Sequence, residues 1–134
     1  MPRATFSPAK LVVYDLTAFP GSAPRLYRVA RSDVQEDPVF EQSFRSNYEL
    51  KAEPRRAEKR SAVIHMGLSM WVRKANAHDL ASRMPRIGDD VAELRLREGM
   101  GVNLAETGMP YHVTVWGRPL ELIESVVDIV PVAR

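Results

Sequence analysis

The sequence predicts a single compact α+β domain: a mixed or antiparallel sheet carrying two or three short helices. Three observations carry this. Leu26 to Ala30, Ala92 to Arg97 and Tyr111 to Gly117 are short β-prone runs, the latter two alternating side chains between faces. Ala77, Leu80, Ala81 and Met84 fall at i, i+3, i+4 and i+7, the apolar stripe of a 3.6-residue period. The chain has 134 residues of which 45% are hydrophobic, enough for one core that needs neither disulfide nor metal to hold it.

Taken in order, residues 1–10 are polar with Pro2 and Pro8 and read as a loosely held arm. Leu11 to Tyr14 is a short strand, closed by a loop containing Phe19, Pro20, Gly21 and Pro24. Leu26 to Ala30 is the next strand. On it Arg28 shares a face with Leu26 and Ala30, which either turns it into a cleft or lays its stem along the sheet. Asp37 as N-cap and Pro38 in the first turn open a helix with Val39, Phe40, Ser43 and Phe44 on one face. Residues 48–61 have little periodicity, much charge and Pro54, the composition of a long surface loop, whether an ordered lid or a disordered one.

The segment from Ala62 to Arg97 is the unit around which the rest is organised. Two apolar runs flank Gly67, and a helix follows, with Asn76 as N-cap, Asp79 in the first turn, and Pro85 and Gly88 beyond the end. A helix of about nine residues is marginal alone in water, so its stripe is expected to dock across the sheet. In the strand that follows, Ala92, Leu94 and Leu96 alternate with Glu93, Arg95 and Arg97. Met100 to Pro110, punctuated by Gly101, Gly108 and Pro110, reads as an irregular wrap around an edge. Tyr111 to Gly117 is a strand with Tyr111, Val113 and Val115 on one face and His112, Thr114 and Trp116 on the other. Pro119 to Glu124 forms a turn or two of helix, and Val126 to Val132 is a last strand whose Pro131 places it at a sheet edge.

Zero cysteines exclude thiolate zinc sites and cysteine nucleophiles. No apolar run approaches a membrane span and the N-terminus lacks a signal-peptide layout, so the expectation is a cytoplasmic protein without a membrane partner. The net charge is +2. Its one local excess, Lys51 to Arg60, has no interleaved aromatics and reads as a solvated loop, so nucleic acid is not the expected partner. His65, His78 and His112 have no ligand spacing and no metal is expected. Gly67, Leu68 and Ser69 do not complete Gly-x-Ser-x-Gly, since Trp71 stands where glycine is required. No phosphate-binding glycine loop is present; Gly99-Met100-Gly101 lacks the third glycine. His112 and Thr114 make one half of the His-x-Thr pair by which two-histidine phosphoesterases place an acid and a base, without the second half.

Two resemblances rest on these residues. Phe44-Arg45-Ser46, Gly67-Leu68-Ser69 and His112-Val113-Thr114-Val115-Trp116-Gly117 resemble the pattern of small uncharacterised bacterial, mainly actinobacterial, proteins. The order of a strand bearing Leu26-Tyr27-Arg28-Val29, a Gly67-Leu68-Ser69-Met70-Trp71 strand leading into a helix with Ala77 and Ala81, and an outgoing strand ending at Gly99 resembles ADP-ribosyltransferase-like domains. That resemblance implies NAD as cofactor. It makes Arg28 the grip on the diphosphate, Ser69 the residue ordering the nicotinamide pocket, and Glu106 or Glu93 the acid that stabilises the ribosyl cation. The Glu-x-Glu or Gln-x-Glu of that group is not present in the chain.

The candidate catalytic residues are therefore Arg28, Ser69, Glu106 and His112, with Arg28, Tyr48 and Trp116 for the cofactor. The leading reading is an ADP-ribosyltransferase-like, NAD-binding or NAD-consuming protein. The alternatives are a non-enzymatic module that holds a small molecule or protein on a surface around Tyr48, Tyr111, His112 and Trp116, and then phosphoester or nucleic-acid chemistry. For Tyr111 and Trp116 the competing expectation is that they fill the core.

Overall fold

The computed structural model describes residues 14–15, 25–31, 34–46, 48–51, 65–97 and 100–132. The expected N-terminal arm and most of the 48–61 loop lie outside the described residues. In chain order the elements are β1 (Tyr14–Asp15), β2 (Arg25–Ala30), α1 (Pro38–Gln42), β3 (Leu68–Trp71), α2 (Lys74–Arg83), β4 (Asp90–Arg95), β5 (Asn103–Glu106), β6 (His112–Trp116), α3 (Pro119–Glu124) and β7 (Val126–Pro131). The strands form one sheet in the order β1-β5-β6-β3-β2-β4-β7. Every neighbouring pair is antiparallel, so the α+β expectation resolves to an antiparallel sheet. Pro131 lies on β7 at the sheet's edge, where a residue without an N–H costs least.

The register sorts side chains onto two faces, because directly opposed residues in an antiparallel ladder point the same way. One face carries Leu26, Ala30, Leu68, Met70, Ala92, Leu94, Leu104, Val113 and Val115. Phe40, Phe44 and Leu122 from the α1 and α3 regions cover it, and all three are fully buried. α1 starts as its sequence dictates: Asp37 Oδ1 accepts from the Val39 N–H at 2.8 Å and Pro38 occupies the first turn. Regular helix stops at Gln42, but turn hydrogen bonds continue to Phe44, so the Phe40 and Phe44 rings sit 5.0 Å apart. Val39, expected on the same face, is 43% exposed.

The opposite face is covered by α2, which sets Ala77 and Ala81 against Val29, Trp71 and Val91, with Leu80 and Ile87 packed at the margin. Two small residues in the stripe let this short helix approach the sheet closely. Its expected start is corrected, while its end before Pro85 agrees. The N-cap is Arg73, in extended conformation with no capping side-chain bond, and Asn76 lies inside the helix. Entry to the helix is set by the chain before it, since Val72 N–H donates to the Tyr111 carbonyl at 2.8 Å and pins the end of β3. Met84 falls just past the helix and is 47% exposed.

The segment 100–110 also departs from expectation, because Asn103–Glu106 form β5. Four residues between glycines are too short to show a period, and the strand exists because β6 and β1 hydrogen-bond to its two sides.

Candidate functional site

The sheet is not uniformly zipped. β2 and β4 share six opposed residue pairs, from Arg25↔Arg95 to Ala30↔Asp90, whereas β2 and β3 share one, Tyr27↔Trp71. Beyond that pair the two strands separate, and peptide groups that would face each other in a ladder need other partners. Arg28 supplies one. Its Nη1 donates to the Ser69 carbonyl at 2.7 Å and its Nε to the Ser43 carbonyl at 2.7 Å, tying β3 to the end of the α1 region. The guanidinium fork does what a strand partner would have done, with a charged donor.

A cavity of about 480 Å³ opens at this seam, within the range of small-molecule sites. Arg28, Arg31, Arg45 and Ser69 line it, and among the described residues none of the lining ones is acidic. Arg31 Nη2 donates to the Arg86 carbonyl at 2.7 Å, and Arg45 pairs with Glu41 at 2.6 Å on the exposed side of α1. The described lining thus includes three arginines, one of them ion-paired with Glu41, and no acidic residue.

Ser69 is exposed on β3, and its hydroxyl is hydrogen-bonded to Nε2 of His112 on β6. The ladder makes this contact possible, as Ser69 opposes Thr114 and Trp71 opposes His112 on one face of the sheet. The other ring nitrogen, Nδ1, lies 2.8 Å from the Thr107 carbonyl and 3.1 Å from the Thr107 hydroxyl. A carbonyl only accepts, so Nδ1 carries the proton and Nε2 presents its lone pair to the Ser69 O–H. Thr107 is held in turn by Thr114, hydroxyl to hydroxyl at 2.7 Å. Trp71 packs against the imidazole with ring centroids 4.8 Å apart.

Burial lowers the His112 pKa below the ordinary imidazole value. The Thr107 hydrogen bond opposes that shift and the positive charge of Arg28 adds to it. The ring is thus neutral near pH 7, as a hydrogen-bond acceptor for a serine must be. The turn that delivers His112 is tight. Gly108 has φ +67° and Tyr111 φ +66°, the latter a left-handed residue with a side chain. Tyr111 is kept there by its carbonyl bond from Val72 and by the Arg73 guanidinium lying 3.6 Å from its ring centroid.

The Ser69 and His112 side chains therefore meet on one face of the sheet, while Arg28, rooted on the other face with Leu26 and Ala30, reaches the Ser69 carbonyl between the strands. Glu106 does not join them. It opposes Val113, on the sheet face away from the Ser69 side chain. It stands three strand spacings from Arg28, about 14 Å, and one of its carboxylate oxygens is buried without a hydrogen-bond partner among the described residues. Glu93 opposes Tyr27, whose hydroxyl pKa is raised by burial and by the adjacent carboxylate. Neither acid lines the cavity.

The aromatic candidates fall at opposite ends of β3. Tyr48 meets His65 edge-on at 6.0 Å before the strand, and Tyr111 lies beyond its end beside Arg73. Trp116 borders Gly67, where a Cβ would come within 2.9 Å of its indole nitrogen. Neither Tyr48 nor Trp116 lines the cavity, and neither Tyr111 nor Trp116 belongs to a core cluster. His78 has its pKa lowered by partial burial and by Lys74, away from this site on α2. Among the described residues no group of three or more histidine or acidic side chains could hold a metal ion, and no helix is long and apolar enough to cross a membrane.

Sequence reasoning missed Arg31, Arg45 and Thr107. The first two sit in segments without periodicity, and Thr107 acts through its backbone carbonyl, which any residue possesses. No protein-family model, curated protein sequence or solved structure matches the chain.

Proposed function

We propose that the seam between β2 and β3 binds an anionic, diphosphate-bearing dinucleotide, with NAD the leading candidate, and that the domain consumes it in the manner of ADP-ribosyltransferase-like proteins. The observation that carries this reading is the meeting of Arg28 and Ser69, Nη1 to carbonyl oxygen at 2.7 Å, beside a cavity also lined by Arg31 and Arg45. A diphosphate suits a cavity lined by several arginines and no described acidic residue, since guanidinium N–H groups not bonded to Ser43, Ser69, Arg86 or Glu41 remain as charged donors for phosphate oxygens. Ser69, from the strand leading into α2, lines the same concavity. With Glu93 and Glu106 both off the cavity, the proton acceptor at the site in this reading is His112, reached through Ser69.

The test is a titration with NAD that follows thermal stability and nicotinamide release together. The expected result is a saturable rise in stability, about 2.7 kcal/mol at a hundredfold excess over Kd, with slow release of nicotinamide. Arg28→Lys keeps the charge but loses the planar fork, and weakens binding at least tenfold. No stabilisation at millimolar NAD refutes the reading.

A further inference from the structure

We infer that Ser69 is a nucleophile, with His112 as its general base, acting on esters whose acyl group carries a second, anionic group. The inference uses the same cavity but does not rest on NAD being its ligand. The geometry has the parts a serine nucleophile needs. The hydroxyl is solvent-exposed while the imidazole behind it is half-buried. The Ser69 hydroxyl is in hydrogen-bond contact with Nε2, and the Thr107 carbonyl at 2.8 Å fixes the proton on Nδ1. That carbonyl takes the orienting place that a carboxylate fills in a triad, and the Trp71 ring against the imidazole limits its rotation. The base is not in a loop that could swing away. Ser69 and His112 stand on adjacent strands joined by four opposed residue pairs.

In the forward step the Ser69 hydroxyl oxygen bonds to the ester carbonyl carbon while its proton moves to Nε2. Collapse of the tetrahedral intermediate breaks the carbon–oxygen bond to the alcohol, which leaves with that proton, and the acyl group stays on Ser69. Water then attacks the acyl-serine, again giving a proton to Nε2. The bond to Ser69 breaks, the acid is released and the proton returns to Ser69, so ester plus water become acid plus alcohol. Substrate class follows from the neighbourhood: Arg28, Arg31 and Arg45 line the cavity that Ser69 also lines and no described lining residue is acidic, so the cavity favours an acyl group with an anionic end.

The experiment is labelling of the intact chain with a fluorophosphonate reporter, read by mass spectrometry on tryptic peptide 61–73. The modification is expected on Ser69 and absent in Ser69→Ala. General-base assistance is worth about 10²–10⁴-fold, so labelling of His112→Gln should be at least 100-fold slower. The wild-type rate should fall as pH drops through the titration of His112, whose charged neighbour is Arg28. The acyl class is read by comparing 4-nitrophenyl hemisuccinate with neutral 4-nitrophenyl butyrate, the anionic ester being turned over at least tenfold faster.

A second variant covers the case in which His112→Gln fails to fold. The chain has no cysteine, so Ser69→Cys provides a single thiol. Its alkylation by iodoacetamide at pH 7 should exceed that of the unfolded variant at least tenfold. Labelling of Ser69 no faster than of other serines, or equal alkylation of folded and unfolded Ser69→Cys, overturns the inference. NAD stabilisation with an unreactive Ser69 likewise rejects it while sparing the dinucleotide reading, whereas a reactive Ser69 without NAD stabilisation does the reverse.

Discussion

The two sides of β2 differ in how they are joined. Toward β4 the strand is held by six opposed pairs and by side chains buried on both faces, including Leu26, Val29, Val91 and Leu94. Toward β3 it is held by one pair, one arginine and a cavity. The backbone ladder is cheap and self-sufficient but fills the space between strands. Where it is interrupted, a charged side chain takes over the carbonyls and leaves room for a ligand. The exposed serine lies on the far strand of that interruption and its histidine on the next strand, β6, so the chemistry sits beside the opening and is held by the regular β3–β6 ladder.

If the seam is held by Arg28, removing it should cost far more than its partial exposure suggests. Arg28→Ala loses two hydrogen bonds from a charged donor and leaves the Ser43 and Ser69 carbonyls without that donor, an expected loss of about 3 kcal/mol by chemical denaturation. A change below about 1 kcal/mol would mean that the seam is held by packing alone. On the firm side of β3, Gly67→Ala puts a Cβ 2.4 Å from the Thr114 methyl and 2.9 Å from the Trp116 indole nitrogen. Thr114 is buried and anchors Thr107, so the expected cost is about 2 kcal/mol. It should come with loss of Ser69 reactivity, because the His112 support is displaced too.

The smallest effect is a pH slope. The His112 pKa is lowered in the folded protein, so below the unfolded value of about 6.5 the unfolded chain binds the proton first. The contribution is fully present above about pH 6.5 and is lost as pH falls through the folded pKa. His112→Gln should flatten that part of the stability curve. An unchanged slope would separate the ring from the buried site drawn for it.

Much of the scaffold was legible because it follows local rules. Asp37 and Pro38 announce α1, Ala77 and Ala81 mark the docked stripe of α2, and the alternation from Ala92 to Leu96 marks β4. Pro131 marks the edge of the sheet. The errors lie where a neighbour overrides local preference. Asn76 is a better cap than Arg73, yet the Val72 to Tyr111 bond fixes where the helix begins. β5 has too few residues to declare itself and is made by its partners. Ser69 and His112 could each be suspected from residue type, but their pairing depends on a register between strands 43 residues apart.

By itself, then, the sequence determined the class of fold, the positions of most helices and strands, the alternation that puts Arg28 on the face of Leu26 and Ala30, and the exclusion of thiol chemistry. These follow from backbone sterics and the separation of apolar from polar side chains, which act over a few residues. Only the tertiary structure decided that β2 and β3 part after a single pair, that Arg28 spans the gap, that Glu106 stands about three strand spacings away, and that Thr107 orients His112 toward Ser69. Those depend on strand order and register, which are set by the packing of the whole core and leave no periodic trace in any one segment.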